Sequence, residues 1–193
     1  MGVEADSMHV ALVAGATRGA GRAIAVELAR AGFFVYATGR SSRTSGRSEL
    51  DRPETIEETG EFIHAAGGSG AVRVVDHEDP DAVAELVAAV EREQGRLDVL
   101  VNDIFGGDRY MQWDKPLWEH DWQGGLRMLQ MGVHTHLITG RAAIPLMLRT
   151  APAHGSGGLV MEMTDGTSQA NAEFRRNVGF YYDLVKANVE RIV

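Results

Sequence analysis

The sequence predicts an α/β fold built on a doubly wound parallel sheet, and three observations lead there. Five short apolar runs, at 8–14, 33–38, 71–75, 98–102 and 158–163, alternate with helix-like segments near 19–31, 54–66, 79–94, 120–149 and 178–193. The runs are mostly continuous rather than alternating, as in Leu97-Asp-Val-Leu-Val-Asn102, which is the pattern of strands covered by helices on both faces. The first run enters its helix through a glycine-rich turn, and right-handed crossovers then place a ligand at the carboxyl ends of the strands, near the switch point after that run.

The first strand and its turn read Val10-Ala-Leu-Val-Ala-Gly15-Ala-Thr17-Arg18-Gly19-Ala20-Gly21. A pyrophosphate needs bare backbone N–H groups at a helix N-terminus, where the dipole is positive and side chains would hold the phosphate oxygens off. The spacing is G-x-x-x-G-x-G rather than G-x-G-x-x-G, so a tight turn that binds nothing is the competing reading. The second strand, Phe33-Phe-Val-Tyr-Ala-Thr38, runs into Gly39 and Arg40, where an NAD enzyme would carry a carboxylate for the ribose 2′-hydroxyl. A guanidinium there suits a 2′-phosphate, and Arg18 can close from the glycine turn, so NADP(H) is favoured over NAD. Alternatively Arg40 belongs to a solvated loop, which is the reading for Arg43 and Arg47. The loop from Ser41 to Pro53 is polar and expected to be mobile.

After the third strand, Asp76 is placed either to accept from an adenine amino group or to cap the next helix. That helix opens with Asp79 and Pro80, repeats apolar residues at three and four, and stops at Gly95. Residues 105–122 hold all three tryptophans. They are read as an aromatic lid over an apolar substrate or as the packing of an irregular insertion. Met128, Met131, Met161 and Met163 are read as core. In the last helix Tyr182-Asp-Leu-Val-Lys186 puts a phenol and an ammonium on one face.

At 193 residues the chain suits one domain. With 44% hydrophobic and 24% charged residues it has the composition of a soluble globular protein, and no apolar stretch approaches a membrane span. The acidic N-terminus is no secretory signal, which makes the cytoplasm the default compartment. The absence of cysteine excludes disulfides and thiolate chemistry, a net charge of −8 disfavours a nucleic-acid surface, and no metal site is expected.

The glycine turn after the first strand and the Tyr182/Lys186 pair just after the fifth together resemble the short-chain dehydrogenase/reductase family, over essentially the whole chain. The resemblance implies a Rossmann-like sheet of order 3-2-1-4-5, a homo-oligomer (dimer or tetramer) and a small-molecule carbonyl or alcohol substrate. It also implies Tyr182 as general acid/base and Lys186 as the group that favours the phenolate and binds the nicotinamide ribose. Asn102 looks like the family's asparagine after strand four, although Asn102-Asp-Ile-Phe replaces the usual Asn-Asn-Ala-Gly. Counting along strand five puts Asp165, preceded by Thr164, where the family has its catalytic serine; counting back from Tyr182 lands nearer Ser168. The family's helix-four asparagine falls at Gly132, with His134 and His136 as candidate replacements that are read first as core or interface histidines. Family members continue past the tyrosine helix with two strands and a pocket-closing helical segment, whereas this sequence ends at Val193, so a single domain incomplete at its C-terminal side, with an uncovered fifth-strand edge, is expected.

Two functions compete. One is an NADP(H)-dependent oxidoreductase with Tyr182, Lys186, Asp165 and Thr164 at the reacting centre and with Gly15, Thr17, Arg18, Gly19, Ala20, Gly21, Arg40, Asp76, Asn102 and Lys186 toward the cofactor. The other is a sensor or scaffold of the same fold that binds the dinucleotide without turnover.

Overall fold

A computed structural model describes residues 8–150, 157–165 and 179–192. Five strands, β1 (Val10–Ala14), β2 (Phe34–Gly39), β3 (Ser69–Val74), β4 (Val99–Asn102) and β5 (Leu159–Glu162), form one parallel sheet of order β3-β2-β1-β4-β5. The register pairs Ala14 with Thr38 on one side and with Asn102 on the other, so the first, second and fourth strands finish level. Among the described residues β5 is an edge strand, with Leu159 exposed.

Each inner strand alternates between two cores, which is why its sequence shows no polar face. Val10, Leu12, Tyr36 and Leu100 pack under α3 (Pro80–Gln94) and α5 (Thr135–Thr150), through Val83, Leu86, Val90, Ala143 and Leu146. Ala11, Val13, Val35, Ala37 and Val101 face the opposite way, toward α1 (Gly19–Arg30) and α2 (Ile56–Ala65). The inner face of α1 is Gly21, Ala25 and Ala29, three small residues one turn apart that let the helix lie close on the sheet.

The expected caps of α3 are present: Asp79 accepts from the N–H groups of Asp81 and Ala82, Pro80 opens the helix, and Gly95 closes it at φ +71°. Asp76 is therefore not the cap; its carboxylate accepts from the Glu78 N–H at 3.0 Å. The single helix expected over 120–149 is divided into α4 (Trp122–Leu129), a π-helical turn at Gln130–His134, and α5. The last described helix, α6 (Phe180–Val189), lies against α4 and this π turn, with Tyr181 over Gly125 and Val185 over Gly132. A Cβ at either glycine would sit 2.3 Å or 2.6 Å from those side chains, so the glycines make room for α6.

The loop after β2 is more tied down than its composition suggests. Ser42 and Gly46 exchange backbone hydrogen bonds, Ser41 is buried, and Arg109 donates to the Glu49 carbonyl at 2.8 Å. Arg43 and Arg47 form exposed ion pairs with Glu61 and Asp51, as solvated residues should. Met128 and Met131 are buried, and Met161 and Met163 pack against the α1 side of the sheet.

Candidate active site

The glycine turn is shaped by its own neighbours before any ligand is considered. Gly15 has φ +89°, and a Cβ there would lie 2.3 Å from the Asp103 carbonyl oxygen; one at Gly21 would lie 2.4 Å from the Gly15 oxygen. Gly19, at φ +58°, has open space where a side chain would begin. Arg18, at the N-cap of α1, is extended and supplies no side-chain cap, so the helix start is left to its backbone N–H groups. This turn forms one wall of a cavity of about 250 Å³. Gly15, Thr17, Arg18, Gly19, Ala20, Arg40 and Asp76 all line it, together with His77, Glu78, Asp103 and Phe105, which the sequence did not single out.

The floor of the cavity is held by His77. Thr139 gives its hydroxyl hydrogen to the Thr135 carbonyl at 2.7 Å, so it accepts from His77 Nδ1 at 2.8 Å, and Nε2 in turn accepts from the Thr38 hydroxyl at 2.7 Å. The imidazole is thus neutral, and burial, with smaller repulsion from His136 and Arg40, pushes its pKa down from 6.5 to about 4. Asp103 takes up the Gly21 N–H beneath the glycine turn. Burial raises its pKa, against the opposing pull of that N–H, Lys186, His136 and Arg18.

Beyond Phe105 lies the second cluster. The Tyr182 hydroxyl donates to Asp165 Oδ2 at 2.7 Å, and Lys186 Nζ stands 3.4 Å from Asp165 Oδ1. Phe105 meets the Tyr182 ring edge-on at 5.7 Å, and the Lys186 ammonium sits 5.2 Å from the centre of the Phe105 ring and 5.6 Å from that of Tyr182. Phe105 therefore belongs to both the cavity wall and the phenol cluster. Thr164 uses its hydroxyl locally, accepting from the Asp165 N–H at 2.7 Å. Ser168 lies outside the described residues.

Asn102 is placed inside the sheet rather than on the cavity wall. It is fully buried, its Nδ2 donates to Glu162 Oε1 at 2.7 Å, and its Oδ1 has no partner among the described residues. Glu162 Oε2 is also hydrogen-bonded to His136 Nδ1, while His136 Nε2 donates to the Ile104 carbonyl at 2.9 Å. Both side chains of this pair are 2% exposed. His136 is thus a satisfied core histidine; His134 is exposed, and the Gly132 position is filled by Val185 and Phe105. The three tryptophans are exposed and do not line the cavity.

The sequence pattern of short chain dehydrogenases matches residues 9–171. The chain belongs to the short-chain dehydrogenase family. Dehydrogenase/reductase SDR family member 1 of Mus musculus is 41% identical over 100 residues, covering 51% of this chain and 28% of that protein. The 7alpha-hydroxysteroid dehydrogenase of Clostridium sardiniense is 30% identical over 158 residues, covering 82% and 54%. Among solved structures, an NADH-dependent reductase, A1-R′, complexed with NAD superposes with a TM-score of 0.75 at 24% identity, over 97% of this chain and 70% of that one. This short-chain dehydrogenase chain thus spans about half or less of the length of these two sequence relatives. Among its described residues no helix is long and apolar enough to cross a membrane, and no group of three or more metal-type side chains forms.

Proposed function

We propose that this chain carries the cofactor site and the acid/base group of an NADP(H)-dependent oxidoreductase that interconverts a carbonyl and an alcohol. The observation that carries the reading is the Tyr182–Asp165–Lys186 cluster, joined through Phe105 to the cavity under the glycine turn. The residues present fit a dinucleotide, because Arg18 places no side-chain cap on the start of α1, where Asp103 takes up the Gly21 N–H, and Gly19 leaves open space. The turn Gly15–Gly21, with Thr17, Arg18, Gly19 and Ala20, would hold the pyrophosphate. Arg40 and Arg18 would take the 2′-phosphate, Asp76 the adenine amino group and Lys186 the nicotinamide ribose. The nicotinamide supplies or accepts the hydride.

The chain's own part is the proton. A hydrogen bond donated by a phenol to a carboxylate stabilises the protonated phenol, which is the form a general acid needs. Tyr182 holds its proton toward Asp165 and, turned toward a carbonyl oxygen, gives it up as the carbon is reduced. Lys186 offsets the Asp165 charge and stays beside the ring to stabilise the phenolate that results. Asp165, in the position of the family's serine, orients the phenol as an acceptor.

The same geometry motivates the second reading. Asp165 shares the Lys186 charge that would otherwise act on the phenol alone, which suits a protein that binds the dinucleotide without turnover. NADPH fluorescence titration followed by a carbonyl panel separates the two. Turnover is expected in the native protein and a loss of at least about a hundredfold in Tyr182→Phe, with NADPH affinity kept. Binding without turnover by any carbonyl supports the second reading; equal turnover by Tyr182→Phe refutes the mechanism.

A further inference from the structure

We propose that Arg127 is a positioning residue for cofactor selectivity: it engages Glu49 and Glu78 and so leaves the Arg40 guanidinium available to a 2′-phosphate. This inference rests on the NADP reading given above.

Arg40 stands among carboxylates. Its Nη1 is 3.2 Å from Glu78 Oε1, 3.6 Å from Glu49 Oε1 and 3.8 Å from Asp76 Oδ2, and its Nη2 lies 3.8 Å from Met131 Sδ. Left to itself, one guanidinium facing three carboxylates would be fully engaged, and a phosphate would meet net negative charge. Arg127 reduces the excess from two negative charges to one and takes the nearer hold on two of the three carboxylates. Its Nη2 donates to Glu78 Oε1 at 2.7 Å and to Glu49 Oε1 at 2.5 Å, and its Nη1 donates to Glu78 Oε2. Every one of these contacts is shorter than any that Arg40 makes to the same two carboxylates. Both glutamates are held below the ordinary carboxylate range chiefly by the Arg127 hydrogen bonds, with Arg40 a smaller contributor.

The rest of the cluster fixes Glu49 on the Arg127 side. The Tyr110 hydroxyl donates to Glu49 Oε2 at 2.9 Å, and Arg109 holds the Glu49 carbonyl. Arg127 itself is not among the residues that line the cavity, whereas Arg40 and Glu78 are. It therefore acts through Arg40, which keeps one hydrogen bond, at 3.2 Å to Glu78, and lines the cavity that a phosphate would enter. A 2′-phosphate carries about −1.5 to −2 charge and presents oxygens that match the guanidinium fork.

The test is the ratio of affinities for ligands that differ only in the 2′-phosphate. Adenosine 2′,5′-bisphosphate and 5′-AMP are titrated calorimetrically, and NADPH and NADH by fluorescence, into the native protein and Arg127→Gln. Arg127→Gln is expected to lower the preference for the 2′-phosphorylated ligands roughly tenfold or more. It should leave 5′-AMP binding nearly unchanged, which a merely structural role would not do. Adding Glu49→Gln and Glu78→Gln to that variant should restore the ratio, and Glu78→Gln alone should raise it. Should Arg127→Gln fail to fold, the triple variant and Glu78→Gln carry the test, and a fall of the ratio in either overturns the proposal. Equal loss for both ligand types in Arg127→Gln, in a native protein that prefers the 2′-phosphate, overturns this inference alone. A native protein that prefers 5′-AMP and NADH overturns the NADP reading and this inference with it.

Discussion

Acidification should weaken this protein in a window set by one imidazole. His77 is 3% exposed, bridges β2 to α5 through Thr38 and Thr139, and binds a proton only near pH 4 in the folded state against 6.5 when unfolded. Between those values the unfolded chain binds more protons, so stability rises with pH. The contribution is whole above pH 6.5, declines as pH falls, and is gone below about 4. At about 1.4 kcal/mol per tenfold change in proton affinity, the gap amounts to roughly 3 kcal/mol. The carboxylates with lowered pKa, Glu49, Glu78 and Asp98, lose their contributions at more acid pH, and Asp103, raised by burial, acts with the opposite sign, so the His77 part is the difference from a variant that lacks the imidazole. Urea unfolding at half-unit steps from pH 7.5 to 4.5 measures the slope, with His77→Asn as the variant that cannot titrate. The slope should flatten in His77→Asn. An undiminished slope there, or an imidazole that titrates near 6.5 by NMR in the folded protein, would refute the reasoning.

Two further outcomes are expected. Gly15→Ala should lose between about 2 and 6 kcal/mol, because an alanine at φ +89° is strained and its Cβ would lie 2.3 Å from a backbone oxygen; thermal unfolding checks this, and a loss below 1 kcal/mol would show that the turn can relax. Glu162→Leu should cost roughly 3–5 kcal/mol by leaving His136 Nδ1 and Asn102 Nδ2 without their buried acceptor; replacing His136 by Met in that variant should recover part of the loss in urea midpoints.

What could be read in the sequence was local or periodic. Continuous apolar strands separated by helical periods led to the sheet, and Asp79, Pro80 and Gly95 marked the ends of α3 because caps act within one turn. Tyr182 and Lys186 were visible because four residues make a helical turn. What joins distant segments left no such trace. Arg127 meets Glu49 and Glu78 across 78 and 49 positions, and no spacing rule connects them. The π turn at Gln130–His134 has no residue that announces it, and it divides a helix that read as one. Nothing local marks His77 either, because its partners Thr38 and Thr139 lie 39 and 62 positions away. Asp103 was the nearest miss: it stands beside Asn102 where the family carries a second asparagine, and that substitution alone could have marked it.

The contact of Gly15 with the Asp103 carbonyl oxygen ties together two jobs that a two-site description keeps apart. The segment after β4 backs the glycine turn at Asp103 and, two residues on, presents Phe105 to Tyr182 and Lys186. The glycine turn and the Tyr182/Lys186 pair are therefore packed against the two ends of one three-residue segment. A substitution tolerated at the Gly15 end of that segment has to be compatible with the packing of Phe105 at the other.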